Sequence, residues 1–89
     1  MDNITRPTRV AVMAIIVENT DSTEPLNALL HEYGRYIIGI MGIPYREKSV
    51  NIISIALDAP QDDISALAGK IGKLSGLSVK TAYSNVISE

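Results

Sequence analysis

An α+β sandwich of βαββαβ order is what this sequence predicts, and three observations predict it. There are four runs dense in branched aliphatic residues, two stretches whose apolar residues recur at helical spacing, and turn-forming residues at most of the boundaries between them. Eighty-nine residues make one domain. A chain this short buries only roughly 60–65% of the surface its unfolded form exposes, so its core must be filled efficiently. The apolar residues are mostly Ile, Val, Leu and Ala, with four Tyr and three Met, and neither Phe nor Trp occurs. That is a composition suited to strands packed on both faces.

Residues 1–8 are polar and contain Pro7, which predicts a flexible tail, with a single domain over 9–89. Residues 9–17 form a β-branched run, strand 1. It ends in Glu18-Asn19-Thr20-Asp21-Ser22, whose short polar side chains favour a turn. Helix 1 follows, with Thr23 expected as N-cap and Pro25 in the first turn, where its missing N–H does no harm. Leu26, Leu29, Leu30 and Tyr33 make its apolar stripe, and Gly34 is expected to end it in a left-handed conformation. Strands 2 and 3 cover 37–43 and 50–57, with 44–49 as the hairpin between them.

Asp62 and Asp63 open helix 2, where the dipole favours acids. Ile64, Leu67, Ala68, Ile71 and Leu74 carry its stripe to a stop at Ser75-Gly76, and strand 4 runs over 78–83, extending toward Val86. Right-handed crossovers put both helices on one face of an antiparallel sheet of order 4-1-3-2. The result is a ferredoxin-like two-layer sandwich.

Function must be argued from sites, because this order hosts unrelated activities. Strands 1 and 3 contain no aromatic residue, so the base-stacking platforms of an RNA-recognition domain are missing. The net charge of −2 also speaks against direct nucleic-acid binding. With no cysteine there is no thiolate metal site and no disulfide, which suits a cytoplasmic protein. The longest apolar runs are too short to span a membrane, and no secretory signal is evident. The loop after strand 1 is acidic, the wrong charge for an acylphosphatase-like phosphate cradle. His31 with Glu32 and Asn27 is a poor metal set, and a surface histidine is the simpler reading. Gly69-Lys70-Ile71-Gly72 has the spacing of a nucleic-acid clamp but lies inside a helical stripe, where two glycines allow close packing. No nucleophile–base pair is visible, so neither an enzyme nor a cofactor is expected.

Two segments go beyond general topology. They are Met41-Gly42-Ile43-Pro44-Tyr45-Arg46-Glu47-Lys48 with the strand after it, and residues 64–80, ISALAGKIGKLSGLSVK. Together with Leu29-Leu30-His31 they resemble the small family of iron-only hydrogenase system regulators. The resemblance implies an ACT-like domain, similar to the C-terminal regulatory domain of nickel-responsive repressors, and a regulatory role. The cysteine and histidine cluster of those repressors is missing, so nickel sensing does not carry over. Eight residues before strand 1 are also too few for their DNA-binding ribbon-helix-helix. ACT-like domains commonly bind small effectors between subunits, near the loop after strand 1 and the start of strand 2. By that analogy Asn19, Thr20, Asp21 and Gly39 become candidate ligand contacts. The hairpin Tyr45-Arg46-Glu47-Lys48, densest in functional groups, is the candidate contact for a protein partner if the domain is a scaffold instead.

Strand 1 is apolar on both of its faces, Val10, Val12, Ala14 and Ile16 alternating with Ala11, Met13, Ile15 and Val17. Helices cover only one face. The expectation is a homodimer, with a tetramer next, hiding a patch that includes Met13, Ile15, Val50 and Ile52.

Overall fold

In a computed structural model, residues 7–88 are described. The elements run β1 (Thr8–Val17), α1 (Thr23–Glu32), β2 (Ile37–Tyr45), β3 (Val50–Ala59), α2 (Gln61–Gly72) and β4 (Leu77–Ser88). All pairings are antiparallel and the strand order is β2-β3-β1-β4, the expected ferredoxin-like arrangement. The expected tail begins outside the described residues, and its last member, Thr8, already belongs to β1.

The core forms where both helix stripes meet one face of the sheet. Leu26, Leu30 and Tyr33 from α1 and Ile64, Leu67 and Ile71 from α2 are buried against Ala11, Met13, Ile15 and Val17 of β1 and Ile55 and Leu57 of β3. Leu29, Ala68 and Leu74 pack around its margin. Between the helices, the Lys70 ammonium lies 3.4 Å from a Glu32 carboxylate oxygen and 5.1 Å from the centre of the Tyr33 ring.

The register overturns part of the expected patch. Met13 and Ile15 are fully buried, because Met13 opposes Ile55 and Ile15 opposes Ile53 on the helix-covered face. Ile52 opposes Ile16 on the other face, so Met13 and Ile15 cannot share a surface with it. The strand-1 residues on the open face are Val10, Val12, Ala14 and Ile16, with Val50 half-buried at the end of β3. A period-two pattern defines two sets but does not say which set meets the helices.

Several boundaries differ for local reasons. Thr23 is the first helical residue rather than the cap, and Ser22 stands before it without capping. The Ser22 hydroxyl donates instead to the Ser75 carbonyl, 2.6 Å away, tying the first loop to the last. Gly34 does not turn left-handed; it opens a 3₁₀ turn (Gly34–Tyr36) that feeds β2 directly. The left-handed glycine is Gly76, at φ 71°. A Cβ there would stand 2.5 Å from the Asn19 Cβ, so glycine permits both the conformation and the approach. α2 stops at Gly72, short of the predicted Leu74. Gly69 meets nothing within 4 Å and Gly72 makes only ordinary contact with Val79, so Gly69 does not serve close packing as expected. Pro44 and Tyr45 belong to β2, leaving a tight turn (Arg46–Lys48) closed by Ser49.

Candidate functional site

One end of the sheet gathers two connections that are far apart in sequence. A cleft of about 180 Å³ is lined by Thr20, from the link between β1 and α1, and by Pro44, Tyr45, Arg46, Ser49, Val50 and Asn51 of the β2–β3 hairpin. Antiparallel pairing of β1 with β3 brings them together, since Val17 opposes Asn51 and the chain continues from there into the loop.

The loop side is held firmly. Asn19 Oδ1 accepts from the Asp21 backbone N–H at 2.9 Å, Asn19 Nδ2 donates to the Ser75 hydroxyl at 3.2 Å, and the Asn19 carbonyl accepts from the Ser22 N–H at 3.0 Å. The Glu18 N–H donates to the Gly76 carbonyl at 2.7 Å. These bonds set Thr20 in a single turn of 3₁₀ helix (Thr20–Ser22) at the edge of the cleft. On the hairpin side the Ser49 N–H donates to the Arg46 carbonyl at 3.2 Å. Ser49 adopts φ 55°, ψ 39°, the left-handed region. That conformation costs a non-glycine residue roughly 1–2 kcal/mol, yet it places the serine on the wall of the cleft.

The expected residues therefore divide. Thr20, Tyr45 and Arg46 line the cleft. Asn19 sits behind it as a brace, both ends of its amide already engaged. Asp21 is exposed beside it but does not line it, and Glu47 and Lys48 are exposed on the turn. Gly39 lies elsewhere: it opposes Ala56, six residues before Tyr45 along β2, roughly 20 Å away at the usual strand rise. Sequence reasoning missed Ser49 and Asn51. The available signal was a polar pair directly after a turn, at the mouth of a strand otherwise built of Val, Ile and Leu.

The residues around the cleft include the polar Thr20, Ser49, Asn51 and Arg46 beside Pro44, Tyr45 and Val50, with the Tyr45–Val50 pair on the open face of the sheet and the Pro44–Asn51 pair on the covered one. Among the described residues nothing pairs with the Arg46 guanidinium. The other arginines among the described residues are engaged: Arg9 donates to the Ser84 carbonyl and to Gln61 and lies over the Tyr83 ring, and Arg35 donates to Tyr36. A planar fork of donors beside neutral donors and acceptors suits a carboxylate or a phosphate. His31 is exposed on α1, and no group of three or more His, Cys, Asp or Glu that could hold a metal occurs among the described residues.

Comparison with known proteins adds three findings. Residues 9–81 match the TM1266-like family, described as "Iron-only hydrogenase system regulator, putative". The structure of TM1266 from Thermotoga maritima is 35% identical, with a TM-score of 0.82 over 85% of this chain and 96% of that one. A formyltetrahydrofolate deformylase from Pseudomonas putida KT2440 is 14% identical, with a TM-score of 0.63 over 86% of this chain. This chain spans only 29% of the deformylase, so the likeness is one of fold. No curated protein gives a significant match.

Proposed function

Because the chain belongs to the TM1266-like family of iron-only hydrogenase system regulators, we propose that it is a non-catalytic cytoplasmic regulatory domain whose effector is a small anion held at the Arg46 cleft. One observation carries this reading. The loop after β1 and the β2–β3 turn, separate in sequence, converge on a cleft bordered by Arg46, whose charge no described residue neutralises. At about 180 Å³ the cleft is smaller than the roughly 300–1,000 Å³ of typical ligand sites. It suits a compact carboxylate or phosphate, or the anionic end of a larger molecule. The Arg46 fork would take the charge, with Ser49, Thr20 and Asn51 reading the neighbouring polar atoms.

The rival reading, a scaffold whose turn contacts a protein, uses the same Tyr45–Arg46 corner but needs no small ligand. Thermal melting with amino acids, simple carboxylates, inorganic phosphate, nucleotides and divalent cations separates the two. A ligand that binds the native state raises stability by mass action, about 2.7 kcal/mol at a hundred times its Kd. The expected result is stabilisation by one class of anion, lost in Arg46→Met with the unliganded melting temperature unchanged. No response to any anion, or an undiminished response in Arg46→Met, overturns the reading. So does stabilisation by a divalent cation that His31→Ala abolishes.

A further inference from the structure

The face of the sheet opposite the helices is an apolar surface of unusual regularity. Val10, Val12, Ile16, Met41, Ile43 and Ile52 all project from it and are each between 39 and 59% exposed. Register arranges them in rows across the strands. Ile43, Ile52 and Ile16 stand side by side as a ridge of branched side chains. In the next row Ser54 and Ala14 stand side by side as a short trough of small ones, closed at its ends by Met41 on β2 and Lys80 on β4. Beyond the trough, Val12 lies between Ala56 and Ala82.

We propose that this face is the docking surface for a second copy of the chain, packed face to face about a two-fold axis with the Ile52–Ile16 part of each ridge over the Ser54–Ala14 trough of the other copy. A two-fold operation makes such a fit reciprocal, because each copy supplies both a ridge and a trough. Facing sheets pack in this way, with inner side chains interdigitating about 10 Å apart.

Area and charge both favour a copy over another occupant. The six large residues expose on the order of 500 Å², before the alanines and the flanking Tyr45 are added, against the roughly 800 Å² each partner gives a stable interface. Among the described residues the face carries one cation, Lys80 on β4, and one anion, Asp58 on β3, so they give it no net charge to seek an oppositely charged partner. A lipid surface or a nucleic acid would call for a basic rim, and the chain's net charge is −2.

The test is sedimentation equilibrium of the full chain at about 1–100 μM, for wild type, Ile16→Glu, Ile52→Lys and Ile40→Asp. Ile40 is exposed on the other side of β2, opposite Ile55. A dimer of wild type and of Ile40→Asp is expected, with Ile16→Glu and Ile52→Lys weakening it by at least about tenfold, as for central interface residues. The chain has no cysteine, so Ala14→Cys supplies a second readout that does not depend on a tolerated charge. A short bismaleimide should link two Ala14→Cys copies in high yield, and a Glu32→Cys control on α1 should stay unlinked. A wild-type monomer at 100 μM overturns the proposal, whether or not the face then takes up vesicles or another protein. A dimer broken by Ile40→Asp alone overturns it in favour of association along the β2 edge.

Discussion

The two faces of this sheet are made of nearly the same residues and do opposite things. Along β1, Met13 and Ile15 are 0% exposed while their neighbours Val12 and Ile16 are 42 and 39% exposed. Hydrophobicity therefore does not decide which set builds the monomer's core. The helices decide it, since only one face lies beneath Leu26, Leu30, Leu67 and Ile71. A strand apolar on both sides leaves one face for folding and a second free for the contact proposed above.

The sharpest way to break the comparison is to place one charge on each face in turn. Ile15→Asp would bury a carboxylate without a partner between two helices, and such a charge costs several kcal/mol. Against the marginal stability of small domains, about 5–15 kcal/mol, that change should leave the chain largely unfolded by circular dichroism. Ile16→Asp, one residue along, should keep a native spectrum and alter only self-association. Similar unfolding by both would mean the open face is as much core as the covered one.

Next in size is Leu67→Ala. Leu67 is fully buried at the centre of α2, and its truncation should lower stability by about 2–5 kcal/mol in denaturant titration. Gly76→Ala should follow, at about 1–3 kcal/mol. It forces a side chain into the left-handed region and against Asn19, the residue that braces Thr20. This variant should also weaken anion binding at the proposed site, although Gly76 lies outside the cleft. Weakened stability with binding intact would separate the brace from the site.

The fold was legible because its signals are periodic and local. The stripes through Leu26–Leu30 and Ile64–Leu67–Ile71 and the four β-branched runs needed no knowledge of tertiary contacts. The assignment of faces was not legible, since it depends on how β1 and β3 register under the helices. The site was half legible. Tyr45 and Arg46 stood out as a dense polar turn, and Thr20 by analogy with ACT-like domains. Ser49 and Asn51 did not, because their place follows from a left-handed residue and an antiparallel register that no short motif encodes. The analogy also pointed to Gly39, which the long β2 carries well away from the cleft.

The smallest expected effect concerns Lys70, which joins the two helices over the covered face. Its ammonium is held above the usual lysine value of 10.5, first by the hydrogen bond to Tyr33 and then by Glu32, with desolvation opposing them. A group whose pKa is higher folded than unfolded stabilises the native state while both forms are protonated. That contribution is full below the unfolded value and fades as pH rises through the folded one. Wild type and Lys70→Met should therefore differ in melting temperature by a small, constant amount from about pH 6 to 9, converging above about pH 10.5. The difference should also shrink in molar salt, because the side chain is solvent-exposed and its pairing with Glu32 is screened. A gap that widens toward high pH would mean Lys70 is strained where it sits, and that the helices meet over the core without its help.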